Sequence, residues 1–130
     1  MYGVQYELQH EHEDLPEGGE LVKNDLQVFM RSLRDKRKGL RYFAVGEYGS
    51  ESGRPHYHAV LFNVDPGDIA PSWPHGFVKG NKATMGRIRY MVQYMAMPQN
   101  VSMKQPPFRI MSRRPGIGFN TVFYTETSLI

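Results

Sequence analysis

The sequence predicts an α+β domain, a central antiparallel β-sheet with flanking helices. Three observations predict it. Short apolar and aromatic strand-like runs alternate with two longer runs of helical period. The runs at 41–48 and 56–63 are separated by a turn-rich loop and read as one antiparallel hairpin. Thirteen glycines and nine prolines in 130 residues supply many loops, and a chain of this length builds one core, so 1–130 is expected to be one domain.

The elements follow in order. Residues 2–9 alternate loosely and suit a half-buried strand, and 10–19 form an acidic loop. Leu26, Phe29, Met30 and Leu33 fall at i, i+3, i+4 and i+7, one apolar stripe of a helix from about 22 to 37. Bases gather at its C-terminal end, where the helix dipole favours them, and Gly39 stops it. The hairpin strands come next, then a Pro/Gly loop at 65–76 with the single tryptophan, Trp73. Residues 77–84 suit a short strand, and 86–97 a second helix that Pro98 ends. The tail holds Phe108-Arg109-Ile110-Met111, a basic turn at 112–118 and a last strand near 121–126.

Composition excludes several classes. The chain has no cysteine, which removes disulfides, thiolate metal sites and cysteine nucleophiles together. No apolar run approaches the roughly 18 residues of a membrane span, and the first residues lack a signal-peptide pattern. The net charge of +3 conceals an asymmetry: residues 1–30 hold seven acids and one base, whereas 31–130 hold fifteen bases and six acids. Between Asp68 and Glu126 there are eight bases and no acid, a stretch that can steer a polyanion or serve as a solvated basic flank.

His56 and His58, two apart on a strand, share one face. Such a pair can hold a divalent metal if a third ligand joins it, and it equally fits two ordinary strand histidines. Glu47 lies on the partner strand of the hairpin, and His75 and Glu51 are rival ligands from loops. A His–His–Glu set without sulfur suits Mg²⁺ or Mn²⁺, with imidazole pulling toward Mn²⁺ or Zn²⁺. Tyr90 and Tyr94, at i and i+4, share a face of the second helix away from its apolar stripe of Ile88, Met91, Val92 and Met95. They can point into a cleft beside Arg87, or pack half-buried on the sheet; in the first case a phenol is a feasible nucleophile toward a metal-polarised phosphodiester.

Taken together, these segments resemble a known family. Gly46-Glu47-Tyr48-Gly49 followed by Arg54-Pro55-His56-Tyr57-His58 is similar to the second motif of the HUH endonucleases, nearest to the replication initiators of microviruses, small single-stranded DNA phages. Arg89-Tyr90-Met91-Val92-Gln93-Tyr94 resembles the two-tyrosine motif, with Gln93 where the family usually carries Lys or Arg, and residues 108–118 resemble a downstream segment. The resemblance implies an HUH/Rep-like, RRM-related sheet with the H-u-H strand at its centre. It implies a divalent metal, Mg²⁺ or Mn²⁺, on His56, His58 and Glu47, and Tyr90 and Tyr94 as nucleophiles that nick and rejoin origin DNA. Arg54, Arg87, Arg89, Lys79, Lys82, Arg113 and Arg114 would hold the single strand. The expected setting is the cytoplasm of a bacterial host, with a host replication helicase or polymerase as partner and no membrane. The alternatives are a single-strand binding module that does not cut, and a metal phosphodiesterase that uses water. The family's flanking segments, one of them cysteine-containing, are expected to be missing.

Overall fold

A computed structural model describes residues 3–11, 15, 19–49, 53–82, 84–96 and 105–113. Five strands and three helices run in the order β1 (Val4–His10), α1 (Lys23–Lys36), β2 (Arg41–Tyr48), β3 (Pro55–Phe62), α2 (Ile69–Ser72), β4 (Gly76–Lys82), α3 (Met85–Ala96) and β5 (Phe108–Met111). They form one sheet of order β4-β1-β3-β2-β5 with every pairing antiparallel, so the α+β expectation is met and the histidine strand, β3, is central.

The alternation of each strand sorts its side chains between two faces. One face carries Tyr6, Leu8 and His10 of β1, Ala44 and Tyr48 of β2, and Tyr57, Ala59 and Leu61 of β3, all buried. The stripe of α1, Leu26, Phe29, Met30 and Leu33, packs into this core together with Trp73. Each such side chain contributes roughly 1.5–3 kcal/mol on burial, whereas an exposed ion pair contributes about 1 kcal/mol or less, so the stripe holds α1 in place rather than its charges. Asp25 in the first turn and Arg34 and Lys36 in the last complement the helix dipole. The chain leaves the helix at Arg37 and turns through Gly39 at φ +87°, a conformation that side chains disfavour.

The other face is covered over half its length by α3. Phe43, Val45 and Val60 of the sheet pack with Met91, and Phe62 and Ile88 flank them. The remaining half carries the polar residues described below. Gly46 lets β5 close on β2, because a Cβ there would stand 2.6 Å from the Phe108 ring.

The 65–76 segment is more ordered than a Pro/Gly loop. It holds a 3₁₀ turn, Pro66–Asp68, and then α2. Asp65 starts the turn by accepting the Gly67 N–H at 2.9 Å, and Pro66 presets the helical φ. Ile69 and Trp73 then drop into the core. The strand expected near 121–126 lies outside the described residues.

Candidate functional site

Strand pairing assembles the site. On β3, His56 lies opposite Glu47 of β2, and His58 opposite Glu7 of β1. Directly opposed residues share a face, so two carboxylates flank the histidine pair, one from each neighbouring strand. Each acid reaches diagonally. Glu7 Oε1 lies 3.1 Å from His56 Nδ1, and Glu47 Oε1 lies 3.0 Å from His58 Nε2. The two imidazoles are nearly parallel, their centroids 6.4 Å apart at 18°.

The environments of the two acids differ. Glu47 is buried, whereas Glu7 is half-buried and also accepts from Gln9 Nε2 at 2.9 Å. Burial alone would push the Glu7 carboxyl up. Its hydrogen bonds from His56 and Gln9, with the charge of both histidines, hold it below the usual glutamate value. Among the described residues, Glu7, His56 and His58 form a group whose ligand atoms all lie within 4.8 Å of one another; Glu47 is not in that group. Glu47 thus reaches His58 as the hairpin register suggests, and Glu7 stands on the opposite side. Glu7 is absent from the sequence-derived ligand set because nothing local shows that β1 pairs with β3. Two nitrogens and a carboxylate oxygen fit the donor set of a hard to borderline divalent ion.

An open cleft of about 320 Å³ adjoins the pair, lined by Gln5, Glu7, His58, Asn81, Gly86 and Tyr90. Tyr90 is 60% exposed on α3, on the same side of the sheet as the histidines. The side chains of Tyr94 and Arg87 lie outside the described residues, as do Glu51 and Arg114.

The expected DNA-contacting bases are placed unequally. Lys79 is exposed on β4 opposite Glu7, so it stands on the cleft side of the sheet. Lys82, opposite Val4, is exposed on the other side. Arg89 is exposed on α3 and Arg113 just beyond β5. Arg54 is half-buried, and its guanidinium donates to the His10 carbonyl, which ties β1 to the start of β3. Sequence reasoning missed two residues on the cleft face of β4: Asn81 lines the cleft, and Phe77 is 59% exposed. The signal available for Phe77 is its alternation with Lys79 and Asn81. His75 joins neither the cleft nor the histidine pair. It meets Asp25 and His10 at the far end of β1.

Fold and site together define a protein with an antiparallel sheet, a histidine–carboxylate cluster on its middle strands, and a tyrosine-bearing helix over the same face. Residues 6–99 match the family described as replication-associated protein ORF2/gene 2 protein, and the chain belongs to that family. Curated relatives include the "Replication-associated protein VP4" of Bdellovibrio phage phiMH2K, 27% identical over 99 residues, covering 55% of this chain and 31% of the relative. The "Replication-associated protein ORF4" of Chlamydia phage 1 is 26% identical over 97 residues, covering 54% and 24%. The "Replication-associated protein ORF2" of Spiroplasma virus 4 is 38% identical over 53 residues, covering 37% and 17%. The chain thus spans about a third or less of the length of these relatives. No solved structure matches it significantly.

Proposed function

We propose that this chain is the nicking domain of a phage rolling-circle replication initiator, a tyrosine-type HUH endonuclease and strand transferase acting on single-stranded origin DNA. The observation that carries this is the cleft itself. An exposed tyrosine, Tyr90, lines the same opening as Glu7 and His58. Family membership and relatives named as phage replication proteins support the same conclusion. A divalent cation, Mg²⁺ or Mn²⁺, held by His56, His58 and a flanking carboxylate would polarise a phosphate oxygen as a Lewis acid.

The chain's own residues do the rest. A tyrosine of the pair, Tyr90 or Tyr94, gives up its phenol proton and attacks the scissile phosphorus. The bond from phosphorus to the 3′ oxygen breaks, the 5′ phosphate stays on the tyrosine, and the 3′ oxygen leaves as a hydroxyl that primes synthesis. The second tyrosine then serves the reverse transfer. Glu47 holds His58 in orientation from the protein side, while Glu7 faces the cleft. Phe77, Lys79 and Asn81 share the cleft face of β4. At roughly 3.3 Å per residue, Phe77 and Asn81 stand about 13 Å apart. The exposed ring offers a base a surface to stack on, the lysine a contact for phosphate, and Asn81 a polar edge beside the cleft. Exposed Arg89 and Arg113 extend the basic surface.

The test is incubation with origin-like single-stranded DNA and Mn²⁺, followed on denaturing gels. A covalent protein–DNA adduct is expected from the wild type and none from the Tyr90→Phe/Tyr94→Phe double variant. An adduct that survives in the double variant overturns the tyrosine mechanism. Cleavage without an adduct indicates hydrolysis by water. Salt-dependent binding with no cleavage, unaffected by His56→Ala, indicates a module that only binds.

A further inference from the structure

We propose that His10, Asp25 and His75 form a second divalent-metal site, suited to Zn²⁺ and structural in role. It is independent of the cleft. Their ligand atoms all lie within 4.8 Å of one another. They come from three segments far apart in sequence: the end of β1, the first turn of α1 and the residue before β4. His10 belongs to the face that packs against α1, opposite the one that carries Glu7, His56 and His58.

The distances favour a shared ion over a hydrogen-bond network. Asp25 Oδ2 lies 2.9 Å from His10 Nε2, and Asp25 Oδ1 lies 3.6 Å from His75 Nε2. The second separation is longer than a hydrogen bond uses. Ligands held on one tetrahedral zinc by bonds of roughly 2.0–2.1 Å stand about 3.3 Å apart, and the two observed separations bracket that spacing. Two imidazole nitrogens and one carboxylate oxygen form a donor set that zinc accepts readily.

The surroundings hold these groups firmly. His10 is 1% exposed and sits among the rings of Tyr57, Trp73 and His75. Its carbonyl accepts from Arg54, and its neighbour Glu11 donates its N–H to the His75 carbonyl at 2.8 Å. Gly76 makes the approach of His75 to β1 feasible, because a Cβ there would fall on the backbone nitrogen of Glu11. Asp25 and His75 are half-buried, so a tetrahedral ion would complete its shell from the solvent side. Among the described residues, the cleft at Tyr90 has no lining residue in common with this trio, which separates the two sites.

The experiment uses the full chain with His56→Ala/His58→Ala, which removes the cleft ligands. Co²⁺ is titrated and followed by its visible absorption, and thermal unfolding is recorded with and without Zn²⁺. The double variant is expected to take up one Co²⁺ with the intense bands of a low-coordinate site and to unfold at a higher temperature with Zn²⁺. Adding His75→Ala is expected to weaken Co²⁺ binding roughly tenfold or more and to erase the Zn²⁺ effect. Failure of the double variant to bind Co²⁺, or equal binding after His75→Ala, overturns the proposal. If the double variant does not fold, Co²⁺ stoichiometry is compared in the native background. Loss of one equivalent on His75→Ala is expected, and no loss overturns the site. Neither readout depends on DNA cleavage, so the outcome stands apart from that of the nicking assay.

Discussion

Two trios of the same composition, two histidines and one acid, occupy opposite faces of this sheet. Glu7, His56 and His58 sit on adjacent central strands, half-buried, beside an opening with an exposed tyrosine. His10, Asp25 and His75 bring together three separate segments around a histidine that is almost wholly buried and ringed by aromatic side chains. Residue identity is thus shared, and access differs. The first arrangement leaves room for a substrate, and the second fills that room with Trp73 and Tyr57. Open metal-type sites suit chemistry, and closed ones suit stability.

The largest effect on stability is expected at His10. His10→Ala would open a cavity under Trp73 and leave Asp25 facing an apolar wall, costing about 2–4 kcal/mol. Urea denaturation should show this loss with the cleft residues untouched; a change under about 0.5 kcal/mol would remove the sheet-end trio from the fold's support. His58→Ala should do the opposite. Adduct formation is expected to fall roughly a hundredfold or more while the unfolding midpoint moves little. A variant that loses stability and keeps its adduct rate would reverse the assigned roles. Glu47→Gln probes the open trio more finely by keeping shape and removing charge. About a tenfold loss of Mn²⁺ affinity is expected, measured by titration calorimetry, since Glu47 acts through His58. Unchanged affinity would make Glu47 a core residue only.

The smallest effect concerns Tyr57, whose ring borders the closed trio. Its hydroxyl accepts the Val22 N–H at 2.8 Å, and burial pushes its ionisation well above the ordinary value near 10. The unfolded chain therefore ionises this phenol before the folded one does. Its contribution to stability is complete below about pH 10 and shrinks as pH rises beyond that. Tyr57→Phe should cost about 1 kcal/mol at neutral pH and make the alkaline loss of stability shallower. An alkaline slope identical to wild type would show that Tyr57 carries none of it.

Local signals explain most of what was legible in the sequence. The stripe of α1 reads directly from its spacing, and all four of its residues are buried. The 41–48 strand matches β2 residue for residue, and the pairing of His56 with Glu47 follows from a hairpin whose strands are close in sequence. Glu7 is hidden because it lies 49 residues from His56 and reaches it only through the β1–β3 pairing. The buried trio is hidden for the same reason, since Asp25 looks like a helix-start acid and His75 like a loop residue until the sheet brings His10 between them. Arg54 shows the converse. A base beside a nucleic-acid motif suggests a phosphate contact, yet its guanidinium donates to a backbone carbonyl of the neighbouring strand.

The strand order also governs motion. β3 is hydrogen-bonded to strands on both sides, while β4 is paired on one side only. Amide hydrogen exchange should therefore be slowest at the histidine strand and fastest along β4, because an edge can open without breaking the middle of a sheet. The wall that bears Phe77, Lys79 and Asn81 can then loosen to admit or release a strand while His56 and His58 stay in register. The protein would breathe on the side where it grips and hold still where it reacts.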